Sequence, residues 1–353
     1  MASLKEIKNR IASVSGTLKI TSAMKLVASA KLRKAQQAIT NMLPYERQLQ
    51  RILANLLAQA PLSSGGQSGA GEVHSRFAAA EYRLTPAATP DEDISPADIA
   101  SCHGRPDRPS QVAIVAFSSN SSLCGAFNAN AIRKTLAVID EYRTSGLSDS
   151  DIVVYSVGRK MAEAMRKAGF PSPDDYTKMA ESPGYEAASA LSQELIDGYS
   201  SGRFSKVELV YNHFKSTASQ ITVREPYLPM TAASAPDGAA DGTPPVPGRV
   251  HSRFAAAEYG LGTAAMPSEP DDMIIEPSPE ELLEELLPKV QRLKLYTALL
   301  DTNAAEHAAR TVAMQTATDN GNELLESLTL EYNKGRQQKI TSEILDIVGG
   351  TMQ

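Results

Sequence analysis

From Ser3 to about Ala60 the apolar residues return at alternating intervals of three and four: Leu4, Ile7, Ile11, Val14, Leu18. That spacing is the a/d seam of a helix packed lengthwise on another helix. The pattern then shifts to Ile20, Met24 and Val27 among many alanines, small residues that let two helices approach closely. Pro44 is expected to kink this helix or end its regular part. The other end of the chain repeats the theme. Ala304, Ala308, Val312, Leu324, Leu328, Ile340, Ile344 and Ile347 fall at helical period and predict one buried face. Ser278-Pro279-Glu280-Glu281 has the order of a capping box with proline at the first helical position, and Gly349-Gly350 marks the end. Pro288 is expected to kink the helix or split off a first piece. A helix from Glu280 to Gly350 would have about 70 residues and span on the order of 105 Å. That is too long for the inside of one globular domain. The pattern therefore predicts an antiparallel pair of helices made from the two termini, with everything else inserted between them.

Between the helices the period changes. Val112–Phe117 is a continuous apolar run, as in a strand buried on both faces. A helix from about Asn128 to Arg143 follows, then a strand over Asp151–Val157 and a helix over Gly158–Ala168. A third helix is predicted over Tyr185–Tyr199, with further strands over Lys206–Asn212 and Gln220–Arg224. Strands alternating with helices predict a parallel sheet flanked by helices, a small Rossmann-like α/β domain. The fold class is thus α/β plus a long antiparallel coiled coil. The expected division is 1–60 helix, 61–110 insertion, 111–229 α/β domain, 230–277 insertion and 278–353 helix.

Both insertions are rich in Gly, Ser, Pro, Ala and Asp. The first holds a short helical pattern, Val73–Leu84, and the ten residues VHSRFAAAEY occur identically at Val73–Tyr82 and Val250–Tyr259. Two such copies suit either a duplicated docking element or a duplication tolerated in exposed loops. His74 and His251, at matching positions, lack the further ligands a metal site needs.

Composition narrows the function. Aromatic residues are 5% of the chain and Trp is absent, which fits narrow helical cores better than one large globule. Two cysteines, Cys102 and Cys124, cannot build a disulfide framework or a four-cysteine zinc site. No apolar run reaches the length of a membrane span, so a membrane location is expected only through partners. The formal net charge is −6, yet Lys5, Lys8, Arg10, Lys19, Lys25, Lys31, Arg33 and Lys34 lie before Gln36 with only Glu6 opposing them. A basic helix in an acidic protein predicts an acidic partner surface. These cations follow an apolar seam without interleaved aromatics, unlike a nucleic-acid groove, so no nucleic-acid partner is expected. No P-loop, HExxH or GxSxG is present. The loop Ser118–Gly125 stands where a dinucleotide fold holds phosphate, but it is not GxGxxG, and no bound cofactor is expected. Cys124 is expected to be a small buried packing residue.

Three stretches resemble one family. ITSAMKLVASAKLRKAQ (Ile20–Gln36), AAEHAARTVAMQTATDNG (Ala304–Gly321) and YNKGRQQKITSEILDIVGG (Tyr332–Gly350) are similar to the γ subunits of F-type ATP synthases. The resemblance covers both terminal helices and most of the middle. In the loop before Leu-Cys-Gly, Ser-Ser replaces part of the family's usual glycine and charged pair. The resemblance implies a rotor shaft without catalytic residues of its own, which couples proton flow to catalytic sites on β subunits. The implied partners are the α/β hexamer, the ε subunit and the membrane c-ring, on the cytoplasmic face of a bacterial inner membrane. By position it assigns contacts with β-subunit loops to Met24, Lys25, Arg336, Gln337, Thr341 and Glu343, and a face toward the ring and ε to Tyr211–Phe214 and the adjoining loop. Two rival readings are a nucleotide-binding Rossmann protein dimerised by a helical hairpin and a coiled-coil scaffold. Neither explains the three terminal stretches.

Overall fold

The computed structural model describes residues 3–59, 111–229 and 279–350. The two insertions, with the repeated VHSRFAAAEY, the predicted helix Val73–Leu84, Cys102, His74 and His251, lie outside the described residues, as does the capping residue Ser278.

Helix α1 spans Leu4–Gln59 and helix α6 spans Pro279–Gly350. Neither Pro44 nor Pro288 ends its helix. An interior proline costs a helix on the order of 3 kcal/mol. Here Leu49 and Leu53 pack on Leu286, Leu287, Val290 and Leu293, so both helices stay in apolar contact beyond the proline.

The middle of the chain gives strands β1 (Gln111–Phe117), β2 (Ile152–Val157), β3 (Phe204–Phe214) and β4 (Gln220–Leu228). Helices α2 (Phe127–Thr144), α3 (Arg159–Lys167), α4 (Thr177–Glu181) and α5 (Tyr185–Ser200) connect them. The strand order is β2-β1-β3-β4. β1 is parallel to both β2 and β3, as the alternation of elements predicts, but β4 is antiparallel to β3. The sheet is therefore mixed, not parallel. The short turn over residues 215–219, closed by reciprocal backbone bonds of Ser216 and Ser219, can only reverse the chain, whereas a parallel pair needs a long crossover. β4 also runs on to Leu228, past the expected end at Arg224. Its Pro226 is tolerated because β4 is an edge strand.

The sheet is covered on both faces. Ala131, Val138, Met161 and Met165 of α2 and α3 cover Ile114 and Val154. On the opposite face Leu191 and Leu195 of α5 join Leu295 and Leu299 of α6 over Val115, Phe117 and Leu209. Helix α6 is thus both half of the coiled coil and part of the domain's core.

Candidate functional site

The two long helices run antiparallel in a constant register. Leu4 meets Gly335, Leu18 meets Gly321, and Thr318 Oγ1 lies 3.1 Å from Thr21 Oγ1. The numbers of each pair add to 339. On α1 the heptad seam continues unshifted through Leu18, Thr21, Lys25, Ala28, Leu32, Ala35 and Ile39. Ala28, Leu32, Ala35 and Ile39 are buried, whereas Ile20 and Val27 are 63% and 56% exposed. The expected shift to Ile20, Met24 and Val27 is therefore a misreading. Thr21 and Lys25 occupy seam positions, and an apolar count passes over them. On α6 the expected buried face fails at Val312 and Leu324, 39% and 50% exposed because they lie off the seam that Met314, Thr318 and Gly321 follow, and it also ends early, since Leu328 is buried but Ile340, Ile344 and Ile347 are exposed. The cause is geometric. Leu4, the first residue of α1, pairs with Gly335, so among the described residues no helix lies beside α6 from Arg336 to Gly350.

The residues assigned to partner contact fall into two groups. Met24 and Lys25 are half-buried on α1, with Lys25 in the seam opposite Met314 by register. Arg336, Gln337, Thr341 and Glu343 are exposed on the C-terminal end of α6. Thr341 Oγ1 donates to Gln337 O at 2.9 Å, and Glu343 faces Lys339 at 3.6 Å. By the register the two groups lie at different levels of the shaft, with Lys25 near residue 314. The expectation for Tyr211–Phe214 and the adjoining loop fails for the four strand residues, while the loop 215–219 is exposed. Tyr211 and Phe214 are 3% and 4% exposed, and their strand is sandwiched between helices, so these rings fill the core rather than face a partner.

The loop Ser118–Gly125 is built as a brace. The first N–H groups of α3 are taken by Asn120 Oδ1 (from Arg159), Ser119 O (from Lys160) and Ser118 Oγ (from Met161, 2.8 Å). The loop thus caps the start of α3 with its own oxygens. Asn128, in the first turn of α2, ties back to the hydroxyl of Ser119 at 2.9 Å and to Cys124 Sγ at 3.1 Å. Cys124 is 1% exposed and packs with Leu32, Ala35 and Ala304, as a packing residue should. Leu123 takes the left-handed conformation at φ 68° and is exposed.

Where the sheet meets the shaft, polar groups absent from the sequence reading come together. Arg310 donates to Ser122 O at 2.8 Å and to Glu306 Oε1 at 2.6 Å. Burial raises the Glu306 carboxyl, and Arg310 and Lys31 only partly offset it. His307 is buried beside them, and burial first, then Lys31 and Arg310, lower it to about 4. Asp301 joins His213 and Phe214. The i,i+4 spacing of Glu306 and Arg310 was visible in the sequence, but nothing local marked these residues as buried. Among the described residues no group of His, Cys, Asp and Glu forms a metal cluster, and no helix is long and apolar enough to cross a membrane.

These features define a class: a helical shaft made of both chain termini, carrying an α/β domain on one of its helices. The comparisons with known proteins agree. The family model described as ATP synthase matches residues 3–352. The ATP synthase gamma chain of Phocaeicola vulgatus is 46% identical over 352 residues and all of both chains, and that of Flavobacterium psychrophilum is 34% identical over 99% of this chain and 98% of its own. A chain of the Euglena gracilis mitochondrial ATP synthase has the same fold, with a TM-score of 0.55 at 17% identity over 99% of this chain and 93% of that one. This chain belongs to the ATP synthase gamma chain family. The Phocaeicola match runs through residues 61–110 and 230–277, so the two insertions are not peculiar to this chain.

Proposed function

We propose that this chain turns as a rigid shaft inside a hexamer of α and β subunits and carries no catalytic residues of its own. The observation that supports this most is the C-terminal end of α6. Ile340, Ile344, Leu345 and Ile347 are 46–67% exposed there, with no second helix among the described residues to cover them. A ring of subunits around the tip gives these side chains a bearing surface. A single asymmetric rod touches three β subunits differently and so distributes its binding energy unequally over three nucleotide sites. Rotation by one third exchanges their affinities.

In this reading 1–60 and 278–353 form the shaft, 111–229 is the foot, and 61–110 and 230–277 are insertions beside it. The foot meets the ε subunit and the c-ring, and the chain sits peripherally on the cytoplasmic face of the membrane. Arg336, Gln337, Thr341 and Glu343 give the tip angular registry against β-subunit loops. Met24 and Lys25 meet an acidic β loop lower on the shaft. The exposed positions of the tip residues and the basic charge of α1 support these assignments.

Reconstitution with matching α and β subunits tests the reading. One copy per hexamer with strongly raised ATP hydrolysis is expected, and failure to join the hexamer would refute it. Met24→Lys is expected to add an ion pair and lower proton pumping per ATP hydrolysed. An unchanged ratio removes Met24 from the contact.

A further inference from the structure

Asp301 has no part in the function described so far, yet it is a carboxylate at 0% exposure. A buried charge is tolerated only when its oxygens are hydrogen-bonded. Here Oδ1 accepts the backbone N–H of Phe214 at 3.0 Å and Oδ2 lies 2.7 Å from Nδ1 of His213. His213 and Phe214 are the last two residues of β3, an inner strand of the sheet. One turn of α6 is thereby pinned to the end of one strand. Further polar links join α6 to the domain on either side. Tyr227 Oη donates to Gln291 O at 3.0 Å, Lys294 Nζ donates to Pro226 O at 3.0 Å, and Arg310 reaches Ser122 O at 2.8 Å.

Helix α1 also packs on the domain. Among the described residues it meets the domain through Leu32, Ala35 and Ile39, packed against Cys124, Phe127 and Phe214. Apolar contact is non-directional, so it resists separation but opposes sliding weakly. Hydrogen bonds to a charged group are directional and strong. We propose that Asp301 is a positioning residue that locks the α/β domain to α6 against twisting. Torque between foot and shaft then passes through this pair of bonds on α6.

This inference rests on the shaft reading, and its test separates the two. The complete enzyme is assembled in membranes with Asp301→Ala, with Asp301→Asn and with His213→Ala. Assembled complex, ATP hydrolysis per complex and protons pumped per ATP are measured. Asp301→Ala removes both bonds, each worth roughly tenfold or more in the equilibrium that holds the domain on α6. Pumping per ATP is therefore expected to drop while hydrolysis per complex persists. His213→Ala, which keeps the Phe214 bond, is expected to give a smaller drop in the same direction. Asp301→Asn, which still accepts from Phe214 and offers an N–H to His213, is expected to recover most of the pumping. A wild-type ratio in both alanine variants, with only less complex assembled, would overturn the proposal and leave Asp301 as a residue of stability alone. If the unaltered chain failed to enter the complex, the shaft reading and this proposal would both fall.

Discussion

Leu18 of α1 lies directly over Gly321 of α6, so closely that a Cβ at 321 would come within 2.7 Å of Leu18 Cδ2 and 3.2 Å of Cγ. Two heptads away Leu4 covers Gly335 in the same manner, at 3.1 Å. Glycine in mid-helix costs about 1 kcal/mol relative to alanine. These two glycines are helical weak points that hold the helices close and let each leucine seat in the seam.

Gly321→Ala should therefore raise helix propensity and introduce crowding of about 1–3 kcal/mol. The net effect expected in thermal melting of the purified chain is a modest loss of stability. In a Leu18→Ala background the same substitution should become stabilising by about 1 kcal/mol, because only the propensity gain remains. The reversal of sign is the diagnostic result, and additive effects of the two changes would refute the packing argument.

Gly158 precedes α3 with φ at 103°, and a Cβ there would stand 2.3 Å from the carbonyl oxygen of Ser118. Strain and a backbone clash coincide, so Gly158→Ala should cost on the order of 3 kcal/mol. Ser118→Ala removes the hydroxyl that accepts from Met161 and should cost only about 1–2 kcal/mol. Melting curves that rank the two in the opposite order would contradict the brace role of the loop.

The buried His307 sets a pH dependence. Its folded value, near 4, lies below the ordinary 6.5. Above pH 6.5 the ring is neutral in both the folded and unfolded chain and costs nothing. Between 6.5 and 4 the unfolded chain takes up the proton first, so stability should fall with pH, by roughly 3 kcal/mol at most. Glu306 is shifted upward and works the other way, gaining stability as pH falls toward its ordinary range. His307→Gln should make stability fall less on acidification from pH 6.5 to 4, which melting across that range would show.

Glu208 is buried between Arg224, whose Nε donates at 2.7 Å, and Lys206, whose Nζ lies at 2.7 Å. Burial pushes its carboxyl up, but the bonds from Arg224 and Lys206 outweigh it and the net shift is downward. Arg224→Ala would leave that charge with one partner and should cost about 3 kcal/mol. Arg224→Ala combined with Glu208→Gln should cost less than the single change, as a double-mutant cycle would measure.

Much of the architecture was legible because it is written in local periods. The three-four spacing of Leu4 to Leu18 and the apolar run Val112–Phe117 each depend on neighbours within a few residues, and helix and strand geometry repeat over that range. The three terminal stretches likewise carried the family. What escaped were the polar members of the seam: Thr21 against Thr318, Lys25 by register opposite Met314, and His307. A count of apolar residues follows the visible stripe Ile20, Met24, Val27 instead, and the structure leaves Ile20 and Val27 in the open.

The sequence by itself determined that two long helices would pair and that a strand-helix domain would lie between them, because hydrophobic period is a property of short stretches. Only the tertiary structure decided the 339 register, the reversal of β4, the end of pairing at Gly335 and the burial of Asp301. Each depends on groups far apart in the chain, such as His213 and Asp301, 88 residues apart. Nothing in the spacing of residues along one segment reports which distant segment will take its charge out of water.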